Sequence, residues 1–188
     1  MAPIIDTGVV IVSYDKLPPV PSFPVTSTDA SDGDRFALAQ HSGIFEVPGG
    51  EDLSPQLSWP DAPKEAKSFA VTMFDADAPI PSGLWHWGLA DIPAGVTELE
   101  SNAGAPDAKL PGSAFRLKND VGSARFIGAA PPPGTGKHRY FVVVHALDVD
   151  SVRELGVAEE STLAALHFLI LGHTLGRGII TPWANADE

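Results

Sequence analysis

The chain contains no cysteine among its 188 residues. This absence excludes a disulfide framework, thiolate metal sites and a thiol nucleophile. It is also compatible with a reducing compartment, and we expect the protein to be cytoplasmic. The N-terminal sequence Met-Ala-Pro-Ile-Ile-Asp has no basic segment followed by a long apolar run, so no signal peptide is predicted.

Basic residues are scarce, because 12 Lys and Arg stand against 24 Asp and Glu and give a formal net charge of −12. A chain this acidic repels phosphate backbones and anionic membrane surfaces, so nucleic acid is not an expected partner. Long hydrophobic runs are missing as well. The longest, residues 163–171, contains His167 and is too short to span a bilayer, so stable membrane insertion is not expected.

Several catalytic signatures are also absent. The sequence has no Gly-x-Ser-x-Gly elbow, no P-loop, no dinucleotide fingerprint and no His-Glu-x-x-His motif. The residues by themselves therefore assign no catalytic nucleophile and no cofactor.

The residues that are present favour a mostly β fold. Eighteen prolines and eighteen glycines are spread over short apolar runs, as in chains of short strands joined by turns. Hydrophobic residues make up 44% of the chain, which suits one core. We expect one domain over residues 1–188, with an N-terminal arm at about 1–20 and a C-terminal tail at about 178–188.

Strand and helix candidates can be placed along this domain. The strongest strand candidates, rich in β-branched and aromatic residues, are residues 68–74, 84–92 and 139–147. Weaker strand candidates are residues 23–28, 36–41, 56–59 and 124–127. One helix is predicted over residues 161–175, and Gly176 and Gly178 are expected to end it. Strands through the middle and a helix near the end predict an α+β arrangement dominated by β structure.

Two acidic residues follow the first strong strand. Asp75 and Asp77 are two residues apart, so an extended backbone would point both carboxylates to the same side before the turn at Pro79. Paired carboxylates can perform acid–base chemistry or bind a metal. The alternative is an ordinary polar strand end that turns into a proline loop.

A histidine lies between two tryptophans in the next strand. Strand alternation places His86 on one side and both Trp85 and Trp87 on the other. An imidazole opposite two indoles is either a binding group or a half-buried strand histidine with a backbone partner. By contrast, His41, His145 and His167 lie in apolar runs and are interpreted as structural.

The third polar cluster enters the strand that starts near residue 139. The preceding loop, residues 128–137, is rich in glycine and proline, which permit close backbone approach and stiffen the chain. His138 and Tyr140 would share one face of the strand. A histidine beside a phenol at such a loop favours an anion cradle, and the alternative is a plain hairpin loop.

Four segments, taken in order, resemble the phosphatidylethanolamine-binding protein family. They are Ser-Pro-Gln-Leu-Ser-Trp at 54–59, Asp-Ala-Asp-Ala-Pro at 75–79, Trp-His-Trp at 85–87, and the loop and strand start at 128–140. The short loop is similar to the bacterial, Raf kinase inhibitor-like branch. Each motif alone is weak, but four in the same order are specific. Ala76 departs from the family pattern, which has proline there.

The resemblance implies a central β-sheet flanked by a smaller sheet, with helices at the periphery. It also implies a pocket for phosphate-type anions. In that pocket Asp75 would orient a histidine, His86 and His138 would donate N–H groups, and Tyr140 would supply a hydroxyl. The implied wall residues are Gly128, Ala130 and Pro132, and the implied rim or supporting residues are Asp77, Pro79 and Trp85.

The function implied is a binding module rather than an enzyme. A shallow polar pocket would hold phosphate, a phosphorylated headgroup or a carboxylate, and the module would regulate or inhibit a partner kinase or protease. A homodimer is left open. Two alternatives also stay open: a hydrolase that uses Asp75 with His86 or His138 as an acid–base pair, and a metal site that adds Asp77 to those three residues.

Overall fold

Three long antiparallel strands, all anticipated by the sequence, form the middle of the protein. The computed structural model describes residues 13–187, so most of the predicted N-terminal arm lies outside the described residues. The strands are β1 (Leu57–Ser58), β2 (Ser68–Asp75), β3 (Leu84–Pro93), β4 (Glu98–Leu99), β5 (Phe115–Arg116), β6 (His138–Leu147), β7 (Thr174–Ile180) and β8 (Trp183–Ala184). The helix α1 spans Leu163–Leu169, and short 3₁₀ helices span Ser13–Lys16, Leu38–Gln40 and Val152–Leu155.

These strands form a large and a small sheet. The 6-stranded sheet has the order β5-β3-β2-β6-β7, and β8 pairs with the start of β6. Strands β1 and β4 form the 2-stranded sheet. The predicted mostly β fold, with a central sheet and a smaller one, is therefore confirmed. No helix within residues 13–187 has the length and apolar character needed to cross a membrane.

The central strands are buried on both faces, which explains their nearly continuous apolar sequences. One face of β2 and β6, which includes Met73 and Val142, packs in the largest core cluster. The other face, which includes Ala70, packs with Leu163 and Leu166 of α1. The cavity described below opens where β2 and β3 meet the start of β6.

The C-terminal part of the helix prediction is wrong. Helix α1 ends at Leu169, and Thr174–Ile180 is strand β7 at the edge of the large sheet. Gly176 and Gly178 do not end a helix but let the segment after Pro21 pack against the strand. A Cβ atom on Gly176 would lie 3.0 Å from the carbonyl oxygen of Pro21, and one on Gly178 would lie 2.3 Å from a methyl carbon of Val25.

The weaker strand predictions mostly fail. Residues 56–59 contain only the short strand β1, and residues 36–41 contain the 3₁₀ helix at Leu38–Gln40. Residues 23–28 contribute one isolated bridge, between Thr26 and Ser58, and residues 124–127 form no strand. These segments are held by contacts with distant parts of the chain, which local strand propensity does not register.

Candidate anion-binding site

A cavity of about 760 Å³ opens at one end of the large sheet. Six of its lining residues are ones that the sequence predicts for the site: Asp75, Pro79, His86, Ala130, Pro132 and His138. The volume lies within the range of small-molecule pockets in proteins. Three separate segments of the chain thus meet at one cavity.

The base of the cavity is built on a buried carboxylate–imidazole pair. The Nδ1 atom of His138 lies 2.8 Å from the Oδ2 atom of Asp75, and the two residues are only 1% and 3% exposed. A carboxylate that also accepts from the Asp77 backbone N–H at 2.8 Å acts as an acceptor, so Nδ1 of His138 carries a proton. Asp75 therefore fixes the tautomer and the orientation of the His138 ring.

The second nitrogen of the His138 ring bonds to a threonine. Its Nε2 atom lies 2.8 Å from the hydroxyl oxygen of Thr135, which is itself 2.6 Å from the carbonyl oxygen of Pro132. The hydroxyl has one proton and uses it on the carbonyl, which only accepts. Both bonds then form together when Nε2 also carries a proton and donates to Thr135. The geometry fits an imidazolium held between Asp75 and Thr135.

A β-bulge places the second histidine of the site. Met73 pairs with Trp87 and Phe74 pairs with Trp85, so His86 is an extra residue in β3. Trp87 therefore packs in the same core cluster as Met73, whereas Trp85 stacks on Phe74 on the opposite face. The prediction that both indoles face away from His86 is wrong, because the bulge interrupts the alternation.

The His86 ring is buried and presents one nitrogen without a partner. Its Nδ1 atom lies 2.9 Å from the carbonyl oxygen of Ile127, so Nδ1 carries the proton of the neutral ring. Its Nε2 atom has no hydrogen-bond partner among the residues that the structure describes. Burial lowers the pKa of His86 below its usual value, although the Ile127 carbonyl and the charge of Asp75 act in the opposite direction.

Tyr140 supports the site from behind instead of lining it. The residue is fully buried, and its ring packs edge-to-face on His86 with 5.3 Å between the ring centroids. Burial and the negative charge of Asp75 raise the pKa of Tyr140, so its hydroxyl stays protonated. Its hydroxyl has no hydrogen-bond partner among the described residues and lies outside the cavity lining, so the predicted role of supplying a hydroxyl to the ligand stays a prediction.

Gly128 also lies behind the cavity wall. Its N–H donates to Asp52 Oδ1 at 2.8 Å, and the same oxygen accepts from the Ser42 hydroxyl. A Cβ atom at position 128 would lie 2.4 Å from the carbonyl carbon of His41, so only glycine fits. The wall itself is made by residues 130–133, which agrees with the predicted places of Ala130 and Pro132.

Two residues predicted for the rim, Asp77 and Trp85, lie outside the cavity lining. Asp77 makes a bidentate pair with Arg139, with distances of 2.7 Å to Nε and 2.8 Å to Nη2. Strand β2 ends at Asp75, so the extended backbone that would align the two carboxylates does not continue. Trp85 stacks on His167 with 4.3 Å between centroids, on the face of the sheet away from the cavity.

The four-residue metal set left open by the sequence does not assemble. Asp77 is paired with Arg139. Asp75 is hydrogen-bonded to Nδ1 of His138, so this carboxylate oxygen and this nitrogen are not available to bind a metal between the two residues. Within residues 13–187 no three His, Cys, Asp or Glu side chains are arranged to hold a metal ion.

Sequence reasoning missed four polar residues of the cavity, which are Arg35, His41, Glu46 and Asn185. His41, interpreted as structural, lines the cavity with an Nε2 atom that has no hydrogen-bond partner within residues 13–187, and Arg35 lies beside it. Burial and the positive charge of Arg35 lower the pKa of His41. The segment is placed by backbone bonds between Gln40, Ser42 and Ala129. No local sequence motif predicts these contacts, because they join segments that are far apart in the sequence.

Comparison with known proteins identifies the family of the chain. The family model described as phosphatidylethanolamine-binding protein matches residues 26–183. The chain is 38% identical over 162 residues to the UPF0098 protein YbcL of Escherichia coli K12, covering 86% of each chain. It is 37% identical over 157 residues to the UPF0098 protein YbhB of the same organism, covering 82% of this chain and 95% of the relative.

Solved structures show the same similarity. The crystal structure of E. coli YbcL, described as a new member of the mammalian PEBP family, superposes with a TM-score of 0.81 at 37% identity. The superposition covers 87% of this chain and 98% of the YbcL chain. A homologue from Chlamydia trachomatis shares the fold, with a TM-score of 0.67 at 24% identity and coverage of 87% of this chain and 97% of that chain. The chain belongs to the phosphatidylethanolamine-binding protein family.

Proposed function

We propose that this protein is a non-catalytic module that binds a small anion, of the phosphate or carboxylate type, in the cavity at the end of the large sheet. The observation that carries the proposal is the buried Asp75–His138 pair at its base, together with Nε2 of His86, which has no partner among the residues that the structure describes. An imidazolium fixed by a carboxylate would offer its Nε2 N–H, which meets the Thr135 hydroxyl in the free protein, to an oxyanion that takes the place of that hydroxyl. The protein's net charge of −12 means that such a site has to be local.

The mouth of the cavity extends the proposal to the rest of the ligand. Three apolar rim residues, Leu38, Phe45 and Ile80, are 57%, 47% and 46% exposed. This rim differs from the shallow polar pocket that the sequence predicts, because the segment carrying Leu38 and Phe45 was not expected there. We therefore assign to the ligand an apolar body attached to the anionic group.

Regulation of a partner remains part of the proposal. A segment of a protein kinase or protease that offers an anionic group and an apolar side chain would fit both the base and the rim of the cavity. Occupancy by a small ligand would then exclude that partner. A cytoplasmic location and a homodimer stay predictions of the sequence.

Sulfate is expected to bind more tightly as the pH falls from about 8 to about 5.5, over which its charge does not change. Donation from Nε2 of His86 requires a second proton on that ring, so binding takes up a proton and the affinity rises by up to about tenfold per pH unit for one linked proton. This rise continues below pH 6.5, because the pKa of His86 in the free protein is lowered from that value and the free ring is not fully protonated until a lower pH. Isothermal titration calorimetry checks this, and an affinity that is flat or increases with pH would refute the electrostatic part of the proposal.

The chain of hydrogen bonds from Asp75 through His138 to Thr135 favours a second candidate function. This candidate is a hydrolase in which Thr135 is the nucleophile. The two distances of 2.8 Å suit an acid–base–nucleophile arrangement. We expect no turnover of p-nitrophenyl acetate or p-nitrophenyl phosphate above background, because the Thr135 hydroxyl donates its proton to the Pro132 carbonyl and not to His138. Turnover that disappears in Thr135→Ala would establish the hydrolase instead.

A further inference from the structure

The cavity contains a buried hydrogen-bond acceptor that a simple anion cannot use. The carbonyl of Ile127 only accepts, so it fixes the proton of the neutral His86 ring on Nδ1 at 2.9 Å. The other nitrogen, Nε2, then carries a lone pair. His86 is 3% exposed and Nε2 has no partner within the described part of the chain.

An acceptor buried in this way is costly unless a donor reaches it. A fully deprotonated oxyanion brings only lone pairs, which repel the lone pair on Nε2. A ligand oxygen that still carries a proton can donate it to Nε2, while its other oxygens accept from His138 and Arg35, which line the same cavity. Glu46, also in the lining, adds a second acceptor and disfavours ligands of higher negative charge.

We infer that the cavity selects an oxyanion that carries one hydroxyl proton, such as the monoanion of a phosphomonoester or phosphonate, over an equally charged oxyanion that carries none. This inference rests on the anion-binding function proposed above, and it names the chemical class of the ligand. His86 positions the ligand and determines the specificity, because the lone pair on its Nε2 atom accepts a hydrogen bond only from a ligand oxygen that carries a proton.

The charges around His86 decide which partner holds that proton. Asp75 and Asp120 favour a proton on His86, and burial opposes it. The phenol of Tyr140 packs on the ring and is neutral, while His138 is bound to Asp75. His41, Arg35 and Glu46 line the same cavity, and the His86 ring is buried, so the proton is better carried by the ligand than by a second positive charge on His86.

The test compares methylphosphonate with methanesulfonate by calorimetry at pH 5.5 to 6. Both are tetrahedral, carry one methyl group and have a charge close to −1, but only the phosphonate retains an O–H. We expect methylphosphonate to bind at least about tenfold more tightly, since a site built for a hydrogen bond rejects an analogue that lacks the donor. Titrations in buffers of different ionisation enthalpy should show that methanesulfonate takes up about one more proton per protein.

Two substitutions at position 86 separate the ring nitrogens. His86→Asn keeps a side-chain donor near Ile127 but removes the Nε2 acceptor, whereas His86→Gln places an acceptor near the Nε2 position. The preference for methylphosphonate should vanish in the first variant and survive in part in the second. His173→Asn, at a surface pair with Asp148, is the control and should keep the full preference. Unfolding midpoints verify that each variant is folded.

The outcomes are distinguishable. Equal affinity for the two ligands, or tighter binding of methanesulfonate, overturns this inference but leaves the anion-binding proposal standing. A preference that persists unchanged in folded His86→Asn also overturns it. If neither ligand binds at millimolar concentration, the proposed function fails and this inference fails with it.

Discussion

Replacing Asp75 with asparagine is expected to weaken sulfate binding by roughly 10- to 100-fold, although it removes a negative charge from the lining of an anion site. The Asp75 carboxylate accepts the Nδ1 proton of His138 at 2.8 Å and stabilises the positive ring that donates to the anion. Asparagine keeps the shape but not the charge, so the imidazolium is less favoured. The loss of a charged donor outweighs the relief of repulsion from one carboxylate.

A matched substitution two residues away separates the two effects. Asp77→Asn removes the same charge, but Asp77 is paired with Arg139 outside the cavity. We expect its sulfate affinity to change by less than about threefold, because an outlying, partly screened charge contributes little. Calorimetry at one pH and ionic strength compares both variants with the unaltered protein. Tighter binding by Asp75→Asn would show that the carboxylate acts through simple repulsion and not through His138.

The sequence was most informative where a residue's environment is set by its own strand. The three long strands were predicted within a residue or two because β2 and β6 are rich in β-branched and aromatic residues and β3 is a mostly apolar segment that carries two tryptophans. The same runs end in Asp75 and begin at His138, so two site residues follow from strand boundaries alone. The pairing of these strands brings Asp75 opposite Tyr140 and so brings the polar ends together.

The errors occur where distant contacts override local pattern. The orientation of the His86 side chain is set by a β-bulge and not by simple strand alternation. His86 is the extra residue of this bulge, which only the pairing of β3 with Met73 and Phe74 reveals. Strand β7 was missed because its two glycines look like a helix end, yet they serve contacts with Pro21 and Val25. His41 looks like a core histidine in sequence, and only the bonds to Ala129 bring its segment to the cavity.

A second group of histidines lies on the opposite face of the sheet and controls stability instead of binding. His145 is 1% exposed, and its Nδ1 atom lacks a partner in the described part of the chain. His167 packs against it with 5.0 Å between ring centroids and donates from Nδ1 to the Leu163 carbonyl at 2.8 Å. Burial and the charge of Arg177 lower the pKa of His167 to about 4, and burial lowers that of His145 well below its usual value.

The free energy of unfolding is therefore expected to fall as the pH drops from about 6.5 to about 4, with His167 contributing up to about 3 kcal/mol. In this window the unfolded chain binds a proton at His167 and the folded chain does not, so acid favours unfolding. Above pH 6.5 His167 is unprotonated in both the folded and the unfolded chain, so it adds no pH dependence to the free energy of unfolding. Urea denaturation at half-unit pH steps measures the slope. His167→Gln should reduce the slope by up to about 1.4 kcal/mol per pH unit, which corresponds to one proton. If His167→Gln keeps the full slope, the acid sensitivity must come from other groups, such as His145 or the carboxylates, and the assignment to His167 is wrong.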